Sequence, residues 1–312
     1  MGVPGERGPE SAARIRNMHL IRRPCRGSSA PRPRGHRRRH TARLLPLLLV
    51  LTAGACSTWE PRDSEDGRAL AGTASTLQQR TAAAKKWGLD RAPLEAPPPP
   101  KEKLRPETPE SLDRGPDLIP VFSRVPTTDK VVFLTVDDGA AKDHSFLDMV
   151  RELKVPLSAF LTDESAASDY GYFRDLHELG VPVQNHTLTH PQMTTLTADE
   201  QYDEICGQQD VLEEEIGVQP WLFRPPFGDY DEDTLIVAEE CGARAAPLWS
   251  EEAFPDRMEY SRDDAKLHPG DIILSHFNGP HTWGAPITDM LRLVLREVTE
   301  QGFALARLED YI

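Results

Sequence analysis

Two adjacent carboxylates, Asp137 and Asp138, follow a short apolar run and stand directly before Gly139. Carboxylates at the end of a buried strand are costly unless a partner satisfies them, so the pair is a candidate for acid–base or metal chemistry. Successive strand side chains point to opposite faces, but a turn at the glycine would let both carboxylates serve one pocket. A solvated Asp-Asp-Gly turn is the alternative, and the pair by itself does not exclude it.

Two histidines, His186 and His190, stand four residues apart after the apolar residues 181–183. If the segment takes a helical turn, this spacing places both imidazoles on one face, as a metal site requires. Together with Asp138 they would form a set of two histidines and one carboxylate. Such a set leaves coordination positions open, as catalytic metal sites do. Chance spacing of two histidines is the alternative.

Two further residues could take part in chemistry. Arg224 precedes two prolines, so its guanidinium would be held rigidly and could orient a carboxylate. A surface turn is the alternative for this residue. His276 follows the largely apolar run 272–275. It is either a proton donor or a buried histidine whose ring nitrogens are hydrogen-bonded within the core.

All of these residues stand where predicted strands end. Apolar runs and capping signals, such as a capping box formed by Thr197 and Glu200, predict strands that alternate with helices, which is typical of parallel β-α units with helices packed outside the sheet. Functional side chains of such folds gather at the carboxyl ends of the strands. The predicted strands cover residues 131–136, 155–161, 181–183, 221–223, 243–249, 271–276 and 303–308, and the predicted helices cover residues 146–153, 172–179, 197–216, 231–241 and 287–299.

In this order the motifs strongly resemble those of the polysaccharide deacetylases of the NodB-homology type, carbohydrate esterase family 4. The resemblance covers about residues 130–312 and rests on residues 135–139, 186–190, 224–228 and 274–276. It implies an α/β fold, a distorted (β/α) barrel of about seven parallel strands. It also implies a hydrolase that removes acetyl groups from a polysaccharide, N-acetyl rather than O-acetyl groups being favoured and peptidoglycan being one candidate.

The resemblance assigns the metal and the base. Asp138, His186 and His190 would bind one divalent metal ion, zinc in the first place, with cobalt or nickel as alternatives. Asp137 would take the proton from the attacking water as the general base. Arg224 would orient Asp137 and keep it ionised.

The resemblance also assigns the rest of the site. His276 would protonate the departing amine or alcohol as the general acid. The main-chain N–H of Phe227 would face the developing oxyanion, and Leu274 and Trp249 would line the acetyl pocket.

The chain departs from the family in the fourth motif. The family has an Asp-Trp pair there that helps to set the protonation of the acid histidine, and residues 248–256 contain no such pair. Trp249 fits an earlier aromatic residue of that motif, and Glu251 or Asp256 would be the substitute for the aspartate.

This departure keeps a second interpretation open, a non-catalytic carbohydrate-binding lipoprotein on the same scaffold. Asp137, Arg224 and His276 argue against it, because a pure binding protein does not need them. A phosphoesterase is a third interpretation, although such enzymes more commonly use two metals or additional basic residues.

Charge is divided unevenly along the chain. The 312 residues carry a net charge of −14, but residues 1–43 hold 12 arginines and two acidic residues, a net +10 that leaves −24 for the remainder. A region this acidic repels phosphate, which excludes a nucleic-acid partner. The same negative charge disfavours anionic substrates and direct adhesion to anionic lipid. We expect a monomer that acts on a polysaccharide.

The basic head resembles an export signal. Its arginines precede an apolar run at residues 44–52 and the small residues 53–55, as in a secretory signal. The run is far shorter than the roughly 20 residues that span a bilayer. Residues 53–56 also resemble a bacterial lipobox, so we predict a signal segment over residues 1–55 and lipidation of Cys56. The protein would then be an exported lipoprotein on the outer side of the cell membrane, or a secreted protein if Cys56 is not lipidated.

Two cysteines remain in the body of the chain. Lipidation of Cys56 would leave Cys206 and Cys241 to form a possible disulfide, and two buried thiols are the alternative.

Residues 56–116 are rich in proline and charge, which predicts a disordered tether with a weak helical pattern in its middle. Residues 117–312 would form the catalytic domain.

Overall fold

The computed structural model describes residues 77–108 and 118–312, so that Cys56 and the predicted signal segment lie outside the described residues. The strands are β1 (Val121–Phe122), β2 (Val131–Asp138), β3 (Ser158–Leu161), β4 (Val183–Asn185), β5 (Ala246–Pro247), β6 (Glu251–Ala253), β7 (Met258–Tyr260), β8 (Ile272–His276) and β9 (Ala304–Ala306). Strands β2–β4 and β6–β9 form one sheet, and β1 pairs with β5.

Helices follow most of the strands. They are α1 (residues 77–86), α2 (His144–Leu153), α3 (Asp163–Ala166), α4 (Tyr170–Glu178), α5 (Ala198–Ile216), α6 (Glu232–Glu240), α7 (Pro280–Trp283), α8 (Ile287–Glu300) and α9 (Leu308–Tyr311), with 3₁₀ turns at Met193–Thr195 and Pro226–Gly228. In the described part of the chain, none of the helices combines the length and the apolar character needed to cross a membrane.

The strand pairing forms a ring. The order β4-β3-β2-β8-β6-β7 is parallel except for the β6–β7 hairpin, and β9 pairs with the first half of β2. Beyond β4, single bridges join Asn185 to Phe223 and Leu222 to Ala245, which leads to β5 and β1. A further bridge joins Arg124, just after β1, to Asp271 at the start of β8. This pattern confirms the predicted α/β class with parallel strands and describes a distorted barrel.

The central strand β2 explains how the barrel is packed. Val132, Leu134 and Val136 lie in one apolar cluster with residues of the surrounding helices, whereas Phe133 lies in a second cluster inside the ring. The side chains alternate because successive residues of a strand point to opposite faces. Asp137 therefore shares the interior face with Phe133 and is buried at the carboxyl end of the strand.

Most of the predicted elements form, because their signals are local. The predicted capping box at Thr197 and Glu200 begins α5, and Asp231 caps α6. Two differences stand out. Residues 221–223 contribute only single bridges to the ring, and the β6–β7 hairpin was not predicted, because its glutamate-rich strands have low β-propensity.

Residues 77–108 pack onto the domain. The prediction of a disordered tether over residues 56–116 is therefore wrong for this stretch. Its few apolar residues, such as Ala84 and Leu89, are buried against the domain. The composition of a linker does not show whether its apolar residues find such a surface. Hydrogen bonds and a β-bridge join the segment to the domain. The indole N–H of Trp87 donates to Glu152, the guanidinium of Arg292 donates to the Trp87 carbonyl, and the N–H of Leu104 donates to the Tyr311 carbonyl. Leu94 forms the bridge with Ala304.

Candidate active site

Asp138, His186 and His190 meet at the carboxyl ends of β2 and β4. Oδ1 of Asp138 lies 3.7 Å from Nε2 of His186 and 3.6 Å from Nε2 of His190. One ligand atom from each residue lies within 4.8 Å of the other two. Atoms that bind one ion at about 2.1 Å lie roughly 3–4 Å apart, so this spacing suits a single divalent cation.

The chemical state of these groups also fits a cation. Oδ1 of Asp138 is buried and has no hydrogen-bond partner among the described residues, a costly arrangement that a bound cation would relieve. Nδ1–H of His186 donates to the Arg224 carbonyl at 2.7 Å, which leaves the Nε2 lone pair directed toward Asp138. Burial lowers the pKa of His186 to about 3, so the imidazole is neutral at pH 7 and can act as a ligand.

Left-handed backbone conformations shape the site. Six non-glycine residues of the described chain have positive φ, and four of them are Asp138 (76°), Thr187 (71°), His190 (56°) and Phe227 (60°). Such conformations cost energy and cluster at functional sites. The turn at Asp138 brings the second carboxylate to the same site as Asp137, although a regular strand would separate them. The two histidines meet through a loop with two left-handed residues and not through the helical turn considered above.

Asp137 and Arg224 form a buried ion pair beside the three candidate ligands. Arg224 is fully buried, and its Nη1 donates to Oδ1 of Asp137 and to Oγ1 of Thr135, each at 2.8 Å. The carbonyls of Pro247 and Leu248 accept hydrogen bonds from Nε and Nη2 of Arg224. Burial raises the pKa of Asp137 above its usual value, and the charge of Arg224 opposes that rise. A carboxylate held in this way is a stronger proton acceptor than one in water.

His276 lies beside Asp137, because the two residues are paired in the register of β8 and β2. Its Nδ1 is 3.6 Å from Oε1 of Glu252, on β6. Burial raises the pKa of Glu252, and the charge of His276 opposes that rise. The site thus holds a second pair, an imidazole with a carboxylate, next to the Asp137–Arg224 pair.

Glu252 is the residue that sequence reasoning missed. Glu251 instead hydrogen-bonds the hydroxyl of Ser250 and approaches Arg262, and Asp256 is exposed beside Arg257, so neither candidate substitute faces His276. The signal that would have selected Glu252 is strand alternation, which places adjacent residues on opposite faces. The signal was hidden because the β6 strand itself was not predicted.

The remaining predicted residues surround these groups. The ring of Phe227 is 67% exposed, and its centroid lies 4.6 Å from that of His190. Leu274 is buried on β8, two residues before His276 and therefore on the same face of that strand. The ring centroid of Trp249 lies 5.9 Å from Cζ of Arg224.

Cys206 and Cys241 are joined by a disulfide that links α5 to the residue after α6. Both helices follow segments that belong to the site: α5 follows the loop with His186 and His190, and α6 follows the turn with Phe227. The disulfide therefore ties together the two helices behind this side of the site.

Comparisons with known proteins agree with this geometry. The family model for polysaccharide deacetylase matches residues 124–246, which include both carboxylates, both histidines and the arginine but end before the His276 pair. An uncharacterized protein of Streptomyces coelicolor is 40% identical over 204 residues, 65% of this chain and 81% of that protein. The peptidoglycan-N-acetylmuramic acid deacetylase PdaA of Bacillus subtilis is 26% identical over 59% of this chain and 72% of its own length.

The fold has solved counterparts. The structure of the peptidoglycan N-acetylglucosamine deacetylase Bc1960 superposes with a TM-score of 0.55 at 24% identity, covering 62% of this chain and 93% of that one. At that identity the likeness establishes the fold alone.

Proposed function

Because this chain belongs to the polysaccharide deacetylase family, we propose that it is a metal-dependent hydrolase that removes N-acetyl groups from a cell-surface or extracellular polysaccharide. The observation that carries the proposal is the convergence of three candidate ligand atoms with the Asp137–Arg224 ion pair and with the imidazole of His276 beside the carboxylate of Glu252. These supply a cation site, a base and an acid, which hydrolysis of an amide requires. Peptidoglycan is our proposed substrate, because PdaA is a relative that acts on it.

The proposed reaction assigns one task to each group. When bound, a divalent ion would polarise the acetyl carbonyl and make a water nucleophilic near neutral pH. Asp137 accepts the proton of the attacking water, and Arg224 orients the accepting carboxylate. His276 donates a proton to the leaving nitrogen as the C–N bond breaks, so that acetate and a free amine are formed. Glu252 holds the imidazole for this step.

We propose zinc as the metal, because two histidines and one carboxylate are a usual zinc set, and cobalt or nickel would also suit these ligands. We assign oxyanion stabilisation to the main-chain N–H of Phe227, and the acetyl pocket to Leu274 and Trp249.

Acetate release tests the proposal. The purified protein should release acetate from N-acetylated chito-oligosaccharides or from peptidoglycan, a chelator should abolish the release, and added zinc should restore it. A metal-loaded protein that binds these glycans yet frees no acetate would instead support the second candidate, a carbohydrate-binding protein. The missing Asp-Trp pair favours that candidate, and the Glu252–His276 pair counts against it.

Replacement of Glu252 by glutamine tests the acid pair. We expect kcat to fall about tenfold or more with metal affinity unchanged, because the neutral amide no longer attracts and orients the imidazole that donates the proton. Asp256→Asn is the matched control, since Asp256 is an exposed acid of the following turn. Equal kcat values for Glu252→Gln and wild type would show that Glu252 has no part in the acid step.

We also propose that the protein is exported and anchored by a lipid on Cys56, a residue outside the described part of the chain. Cys56→Ser should move the protein from the membrane fraction to the medium in fractionated cells, because the thioether to the lipid cannot form. Unchanged partitioning would reject lipidation while leaving the enzymatic proposal intact.

A further inference from the structure

The loop with the two histidine ligands depends on contacts from outside itself. Thr187 and His190 are both left-handed, so the loop conformation is not one that the residues prefer on their own. Each backbone N–H of residues 186–190 has an acceptor. These acceptors are the Leu161 carbonyl for His186, Oδ1 of Asn185 for Thr187, the Glu204 carbonyl for Leu188, Oε2 of Glu204 for Thr189, and Oγ1 of Thr187 for His190.

One residue, Glu204 on α5, provides two of these five acceptors. Its carboxylate accepts the N–H of Thr189 at 2.8 Å and the hydroxyl of Thr189 at 2.6 Å, and its carbonyl accepts the N–H of Leu188 at 3.2 Å. Hydrogen bonds to an ionised carboxylate are stronger than neutral ones. Because Thr189 immediately precedes the ligand His190, the carboxylate constrains the segment between the two ligands.

The helix that carries Glu204 is itself fixed to the ends of two strands, β3 and β4. Gln208 Nε2 donates to the Leu161 carbonyl at 2.8 Å, and Asn185 Nδ2 donates to the Ile205 carbonyl at 2.9 Å. The disulfide at Cys206 ties the same turn of the helix to Cys241.

Gly207 lets that turn approach the loop closely. A methyl group at position 207 would lie 2.7 Å from Cδ1 of Leu188, so the Leu188 side chain would have to move to accommodate it. The hydrogen bonds, the disulfide and this close approach together make residues 204–208 a support for the loop.

We propose that Glu204 is a positioning residue for the metal site: by holding Thr189 and Leu188, it preorganises His186 and His190 to bind the cation. The inference rests on the metal site proposed above and adds a residue that does not itself touch the ion. Preorganisation raises affinity because the loop need not be ordered when the ion binds.

Metal affinity tests this inference independently of turnover. We would measure the Kd for Zn²⁺ by competition with a chromogenic chelator for the wild type, Glu204→Ala and Glu204→Gln. Outer partners of metal sites typically contribute about 10–100-fold to affinity, and Glu204 acts one step further out, so we expect about a tenfold loss for alanine. Glutamine, which keeps an acceptor oxygen, should lose less.

Asp203→Ala removes the same charge from the neighbouring exposed position of α5 and should leave the Kd unchanged. A Kd within twofold of wild type for Glu204→Ala, or an equal loss in Asp203→Ala, would overturn the proposal. If Glu204→Ala does not fold, the comparison of Glu204→Gln with Asp203→Ala decides, since equal Kd values would reject the role. A wild type that binds Zn²⁺ but releases no acetate would refute the proposed function and leave this inference standing.

Discussion

Replacement of Asp137 by asparagine should lower kcat by about 10²–10⁴-fold while the metal stays bound. Asparagine can still accept the hydrogen bond from Nη1 of Arg224, so the local geometry is kept, but it cannot take a proton from water. The three proposed ligands, Asp138, His186 and His190, are unchanged. Acetate release and bound zinc, measured on the same preparation, check the two halves of this prediction.

The pH dependence of the wild type adds a second measurement to this prediction. Burial raises the pKa of Asp137, and a base is active only when ionised. The activity should therefore fall as the pH falls through the pKa of Asp137. Asp148→Asn changes an exposed aspartate of α2 and is the control for Asp137→Asn, so it should leave kcat and bound zinc unchanged. Loss of zinc from Asp137→Asn would show that Asp137 is a ligand and that the roles of the two carboxylates are misassigned.

Replacement of Arg224 by methionine should lower the free energy of unfolding by about 3–5 kcal/mol, because it leaves Asp137 buried without its cation. The guanidinium is fully buried, bonds four groups of the interior and lies over the ring of Phe160. Without the charge that opposes the effect of burial, the pKa of Asp137 should rise further, and activity should be lost at neutral pH as well.

Two further variants make the Arg224 prediction specific. Arg224→Lys keeps the charge but not the planar fork, so it should recover part of the stability and little of the activity. Arg151→Met removes an exposed arginine whose ion pair is solvated, and it should change the unfolding free energy by less than about 1 kcal/mol. Urea denaturation curves of the four proteins provide the comparison. A stable and active Arg224→Met protein would refute the role assigned to this ion pair.

Local signals predicted most of the fold. The apolar run of β2 and the capping box at Thr197 depend only on neighbouring residues, and both form as expected. The hairpin of β6 and β7 was not predicted, because its glutamate-rich strands have low β-propensity and β6 is positioned by its pairing with β8. The segment 77–108 was misjudged for the same reason, since its buried side chains are covered by distant parts of the chain.

The candidate site divides in a similar way. By themselves, residue types and spacing determined which groups could bind a cation or move a proton, namely two carboxylates, two histidines, an arginine and a terminal strand histidine. The tertiary structure decided which of them meet and in what orientation. The pairing of Glu252 with His276 and the hydrogen bonds between Glu204 and the histidine loop join separate segments of the chain, and the left-handed conformation of Asp138 is visible only in the folded backbone. The physical reason is that chemical identity and periodicity are local properties of a sequence, whereas burial, register and strained backbone conformations are imposed by the contacts of the folded whole.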